Sequence, residues 1–135
     1  MEEIQVKKSE LREETIKKLA ALPDKEIAEK TKAIENRLFD FANFLEAKIA
    51  LMYVHNKSEV PTGNILRRSY DYNKIVVLPA YDTENFDMTP MKVDNLNTDL
   101  QEGPRGILEP DEARCKLVPI ERIDIAIIPA IALDE

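Results

Sequence analysis

The chain has 135 residues, 44% hydrophobic and 33% charged, which suits one globular domain with a core of its own. A formal net charge of −7 repels nucleic acid and anionic membranes, so neither is an expected partner. With 3 glycines against 8 prolines, there is little room for a glycine-rich phosphate loop.

The chain opens on a charged segment, MEEIQVKKSELREE, with no apolar signal core. No later run approaches the ~18 apolar residues of a membrane span, so a cytoplasmic protein is expected. Leu11, Thr15, Leu19 and Leu22 recur at helical spacing and predict a first amphipathic helix ended by Pro23. On its polar side Lys8 and Arg12 stand four residues apart, with Lys7 on a neighbouring turn. Two cations on one face can grip a phosphate, although a solvated face paired with Glu10 and Glu13 accounts for them too. Asp24 is placed to cap a second helix, whose stripe of Ile27, Thr31, Ile34, Leu38 and Phe41 predicts a core-facing side.

The period then changes. Ala47–Tyr53, Lys74–Pro79 and Ile123–Pro129 are short runs with apolar residues on both faces. Such runs suit central parallel strands covered by helices on each side. Between the first two, Thr62–Tyr72 reads as a helix closed by Asn73, a residue that tolerates left-handed geometry. Strand, helix and strand then form a right-handed crossover. Phe86–Val93 reads as an edge strand because Pro90 cannot donate to a ladder. Residues 94–122 read as turn and loop, punctuated by Gly103-Pro104, Gly106 and Glu109-Pro110. The fold class expected is a three-layer α/β/α domain with a mostly parallel sheet and two N-terminal helices, occupying residues 1–135 as one unit. A central strand at Ile123–Ile128 needs cover that the rest of the chain only partly supplies. The unit is therefore expected to be incomplete, truncated at its C-terminal side, with an exposed edge as a route to self-association.

Parallel sheets bind ligands at the carboxyl ends of their strands. The acids there are Glu59, then Asp82 and Glu84, then Asp134 and Glu135; any one of them can equally be a solvated loop acid. Glu59 is distinguished by the stiff Val60-Pro61-Thr62 turn beside it, which lowers the entropy cost of presenting a carboxylate to ligand N–H groups. Cys115 is the only cysteine and His55 the only histidine. An isolated cysteine is ordinarily a packing residue, although a nucleophile is the other reading.

Five stretches in order resemble the 5-formyltetrahydrofolate cyclo-ligase family, also called methenyltetrahydrofolate synthetases. Lys8-Ser9-Glu10-Leu11-Arg12 is similar to its K-x-x-L-R, and Ser58–Thr62 to its E-[VI]-x-T turn. Lys74–Pro79 resembles its G-K-x-[VI]-x-[LF]-P strand, with Asn73 in place of glycine. Gly106–Pro110 is similar to G-I-x-E-P, and Asp124–Pro129 to D-[LI]-[IV]-[IL]-V-P. The resemblance implies an ATP- and Mg²⁺-dependent ring closure of 5-formyltetrahydrofolate to 5,10-methenyltetrahydrofolate, and a monomer. It assigns Lys8 and Arg12 to nucleotide binding, and Tyr53, Glu59, Ile107 and Glu109 to the reduced-folate substrate. The sequence departs from the family after Pro129, where Ala130 replaces glycine and Leu133 replaces phenylalanine. The family's glycine-rich loop is not in the sequence, and Ala80 stands where arginine is usual. The expectation is therefore an enzyme family in which this chain alone is inactive. The alternatives are a degenerate member that binds a folate or protein partner without catalysis, and an acidic interaction module outside the family that shares only the architecture.

Overall fold

Changes of hydrophobic period in the sequence become element boundaries in the computed structural model, which describes residues 2–133. Two long helices come first, α1 (Glu2–Ala20) and α2 (Asp24–Leu38). The first buries no side chain, and Leu11 stays about half exposed. Pro23, not Asp24, is the N-cap residue of α2, and Asp24 supplies charge inside the first turn. The expected core stripe on α2 is only partly used, since Ile34 and Phe41 remain exposed. The residue α2 does bury is Glu35, which Arg68 meets at 3.3 Å and Lys32 at 3.8 Å. A buried carboxylate persists when cations satisfy it. Here the pair joins α2 to a later helix.

Phe41 caps a short helix, α3 (Ala42–Glu46), that leads into β1 (Ile49–Leu51). Helix α4 (Gly63–Asp71) then crosses to β2 (Ile75–Asp82), which lies parallel to β1 with Ile49 opposite Ile75. Asn73 ends the helix at φ 59°, the left-handed geometry its side chain tolerates. After β2 come β3 (Asp87–Val93), β4 (Leu100–Glu102), β5 (Leu108–Pro110), β6 (Lys116–Leu117), a 3-10 turn (Ile120–Arg122) and β7 (Ile125–Ala126). The main sheet has the order β6-β3-β2-β1-β7, and β4 and β5 form a separate hairpin. The sheet is parallel across β2-β1-β7 and antiparallel across β2-β3-β6, a mixed sheet in an α/β fold.

Two expectations change. Strand β3 is not an edge, because β2 pairs one side and β6 pairs Met91 and Lys92 on the other. Pro90 is tolerated because it faces Pro79 across the ladder, while its carbonyl turns away to accept Val118 N–H at 2.9 Å. At such a position neither proline removes a bond between the two strands. Strand β7 is not central among the described residues: it pairs only with β1, and Ile128 beyond it is 73% exposed. Residues 94–122 also hold more structure than turn and loop, namely β4, β5, β6 and the 3-10 turn.

The core lies between the sheet and the helices, around Phe44, Ala50, Met52, Ile65, Val76, Leu78 and Val93. Lys74 is buried among them, and its ammonium donates to the carbonyls of Phe44, Leu45 and Ala47 at the end of α3. Phe44 O also accepts the Ala47 N–H at 3.2 Å, and the lysine adds donors to the carbonyls at this end, so it closes the helix. Burial lowers the amine's pKa, and the charge of Asp124 opposes that.

Tyr70 ties α4 to the sheet by donating to Val93 O at 2.5 Å. Burial first, then the charges of Asp94, Asp99 and Cys115, push its phenol up to about 12. A folded pKa above the phenol's ordinary 10.0 means that the stabilisation is complete below pH 10 and is lost as pH rises towards 12. We predict that the fall in urea midpoint between pH 8 and pH 11 is smaller in Tyr70→Phe than in the parent; an equal fall would show that Tyr70 does not carry this linkage.

Candidate functional site

Three pieces of chain meet beyond the carboxyl ends of β1 and β7. Lys8, Leu11 and Arg12 come from α1, Glu59 from the turn after β1, and Pro129–Leu133 from the segment after β7. They line a cleft of about 500 Å³. A smaller, mainly apolar pocket of about 250 Å³ adjoins it and shares Ala130 and Leu133 as a wall. Its lining includes Leu38, Met52, Tyr53, Val60, Ile65 and Ile127. The arrangement offers cations and a carboxylate beside a mainly apolar pocket.

The turn that carries Glu59 is held by its own side chains. Tyr53 OH donates to Val60 O at 3.2 Å, and Thr62 Oγ1 donates to Tyr53 O at 2.8 Å. Thr62 N–H donates to His55 Nδ1 at 3.1 Å. Asn56 N–H donates to Glu59 Oε1 at 3.0 Å, and Ser58 N–H to Asn56 Oδ1 at 2.9 Å. One carboxylate oxygen is thus committed to the turn, and Oε2 has no hydrogen-bond partner among the described residues. The only histidine supports this turn as an acceptor, a role the sequence reading did not assign.

Burial raises the Tyr53 phenol pKa, and the Glu59 charge raises it further. That coupling places the two groups within electrostatic reach across the two compartments. Glu59→Gln is predicted to let Tyr53 ionise at lower pH, read by phenolate absorbance with Tyr53→Phe as the blank. An unchanged titration would separate the two groups.

Lys8 and Arg12 reach this same cleft, and among the described residues neither has an ion-pair partner. The pairs that do form on α1 are Lys7 with Glu3 and Lys18 with Glu14, so Glu10 and Glu13 do not neutralise the two cations. A phosphate suits that donor set. Among the described residues no three His, Cys, Asp or Glu side chains cluster as a metal site.

Ile107 and Glu109 lie apart from this cleft, on the β4–β5 hairpin. Asp82 and Glu84 are exposed at the β2–β3 turn, where Asp82 accepts from Glu84 and Asn85 and is held below its usual range by those bonds. Asp134 and Glu135 lie outside the described residues. Cys115 is buried, and burial raises its thiol, which is the state of a packing residue. The segment after Ile123–Pro129, expected from the sequence at the carboxyl ends of the strands, does reach the cleft, where Pro129–Leu133 form a wall. Among the described residues no helix is long and apolar enough to cross a membrane.

Helices around a sheet whose parallel strands end at a lined cleft define an α/β ligand-binding fold of the kind used by many enzymes of small-molecule metabolism. The chain belongs to the 5-formyltetrahydrofolate cyclo-ligase family, whose model matches residues 4–135. The NMR structure of Aquifex aeolicus 5,10-methenyltetrahydrofolate synthetase superimposes with a TM-score of 0.74 at 25% identity, covering 88% of this chain and 58% of that one. A 5,10-methenyltetrahydrofolate synthetase from Mycoplasma pneumoniae gives 0.65 at 15% identity, covering 90% of this chain and 63% of that one. This chain therefore spans 58% and 63% of the lengths of those structures. No curated protein is significantly similar in sequence.

Proposed function

We propose that this chain supplies the folate-binding and phosphate-binding part of an ATP-dependent enzyme that converts 5-formyltetrahydrofolate to 5,10-methenyltetrahydrofolate. The observation that carries the reading is the shared cleft. Lys8 and Arg12 on α1 face Glu59 on the turn after β1 across one cavity, although the two segments are far apart in sequence.

In this reading the reduced pterin enters the apolar pocket beside Tyr53, and the second oxygen of Glu59 accepts from its N–H groups. Lys8 and Arg12 bind the nucleotide phosphates, Arg12 with paired bonds and Lys8 as a point charge. ATP supplies phosphorylation of the formyl oxygen, which turns a poor leaving group into a good one. The chain's own contribution is placement. The tied turn holds the carboxylate still, and Pro129 to Leu133 give the pocket its outer wall. Ile107 and Glu109 contribute through the hairpin that borders the same rim of the sheet. The protein is proposed to act as a monomer in the cytoplasm, with residues 1–135 forming one domain unit.

Binding separates the two roles. Lys8→Ala and Arg12→Ala are expected to lower ATP affinity by roughly tenfold each while leaving 5-formyltetrahydrofolate affinity within about twofold. Isothermal titration of each ligand checks this. A loss of both ligands in every variant would remove the division of roles, and no binding of 5-formyltetrahydrofolate by the parent chain would remove the reading itself.

A further inference from the structure

Two walls of the cleft leave the sheet on neighbouring strands. The Glu59 turn follows β1, and Pro129–Leu133 follow β7. The register of β7 on β1 therefore sets how the two walls face each other. That register has little backbone to define it, because the ladder holds only two residue pairs, Ala50 opposite Ile125 and Leu51 opposite Ala126. Among the described residues β7 pairs with no other strand. A slip of one residue would turn the strand over. Ile125 and Ile127 pack against the core, whereas Ala126 and Ile128 are exposed. A slip would exchange the two sets and carry Pro129–Leu133 about 3.3 Å along the sheet.

The fastening lies at the opposite end of the strand. Asp124 N–H donates to Ile49 O at 2.9 Å. Asp124 Oδ2 accepts from Ile49 N–H at 2.8 Å and from Lys48 N–H at 3.0 Å. Asp124 and Ile49 thus exchange two hydrogen bonds, as directly opposed residues do in an antiparallel ladder. A parallel ladder gives its residues no such closed pair, and here a side chain supplies it. The bonds from Ile49 and Lys48 hold the Asp124 carboxyl below its usual range, and the charges of Lys48 and Lys74 add to this. The other side of β1 is held at the same level, since Ile75 N–H donates to Lys48 O at 2.8 Å. Strand β1 is pinned at its base from both neighbours, and Asp124 is what ties β7 to that base.

We infer that Asp124 is a positioning residue whose carboxylate locks β7 in register at the base of β1, and so places Pro129–Leu133 opposite the Glu59 turn to set the width of the cleft. That the cleft receives a reduced folate rests on the proposed function; the positioning itself does not.

The test compares Asp124→Ala, Asp124→Ser and Asp124→Asn in the full chain. Three quantities are read: amide exchange, backbone amide resonances without ligand, and affinity for 5-formyltetrahydrofolate. In Asp124→Ala the Ile49 amide is expected to exchange about tenfold faster, while Val76–Leu78 in the middle of the sheet stay within about twofold of the parent. The Ala130 and Ile131 resonances are expected to move. Six residues of extended chain put Ala130 about 20 Å from the substitution, beyond its direct influence. Asn56 and Thr62 keep their resonances, because their bonds lie inside the Glu59 turn. Folate affinity falls about tenfold. Asp124→Asn keeps an acceptor in the same place, so exchange, wall resonances and affinity should return to within about threefold of the parent. Asp124→Ser offers one shorter acceptor and should fall between the two, which keeps the comparison open if the alanine variant does not fold.

Faster Ile49 exchange with Ala130 and Ile131 unmoved overturns the inference. An asparagine variant that displaces the wall as far as alanine does also overturns it, because charge rather than bonded register would then be at work. A uniform rise in exchange with both walls moved reduces Asp124 to a stabilising residue and overturns it too. Full folate affinity with a displaced wall removes the link to the ligand. A parent chain with no folate affinity overturns the proposed function instead, and the exchange and wall resonances then decide the positioning role alone.

Discussion

Glu59→Ala is expected to lower affinity for 5-formyltetrahydrofolate by about 10- to 100-fold, the range for losing charge-assisted hydrogen bonds in a partly desolvated site. The expectation depends on rigidity as well as charge. Asn56 N–H fixes Oε1, and the Tyr53–Val60 and Thr62–Tyr53 bonds fix the turn beneath it, so the carboxylate loses little freedom when it meets a ligand. Glu59→Gln separates the contributions, since it keeps an acceptor for Asn56 N–H and loses the charge. Its affinity should fall between the parent and alanine values. Calorimetric titration of the three proteins checks this, and equal affinities across them would leave Glu59 as a turn residue only.

Phe44→Ala is expected to cost about 3–5 kcal/mol. That is a large part of the roughly 5–15 kcal/mol that holds a typical domain folded. Phe44 is fully buried. It meets Phe39 edge-on at 5.2 Å between ring centres, and the Lys74 ammonium lies 4.4 Å from its own ring centre. Removing the ring opens a cavity beside a buried charge, and α3 is only five residues long, too short to hold its place without that anchor. Urea unfolding measures the change, and a loss below about 1 kcal/mol would mean that the site collapses freely around the missing ring.

Much of the sheet was legible because its signal is local. Lys74–Pro79 is apolar on both faces, and Ile75–Pro79 lies in a strand with neighbours on both sides. Asn73 announced its left-handed turn by residue type alone. What failed to show depends on partners distant in sequence. Glu35 reads as a surface acid until Arg68 arrives from α4. Phe41 continued the stripe of α2, yet the helix ends at Leu38 and Phe41 caps α3 instead. Pro90 argued for an edge, and only the register that sets it opposite Pro79 shows why a paired strand accepts it.

The candidate site divides in the same way. Lys8, Arg12 and Glu59 were recognisable from short motifs, and the fold brings them to one cleft. The support from His55 and the bonds of Asp124 to the base of β1 arise from tertiary contact. Glu109 was legible as a residue of the motif, but not the burial of its side chain.

The central claim is that one cleft between α1, the Glu59 turn and the segment after β7 receives a reduced folate. Titrating the chain with 5-formyltetrahydrofolate while following backbone amide resonances tests it most directly. The expected result is a saturable shift of Asn56, Glu59, Thr62, Ala130 and Ile131, with Lys116 and Leu117 on the far strand unmoved. Shifts confined to other surfaces, or no shift at millimolar ligand, would contradict it.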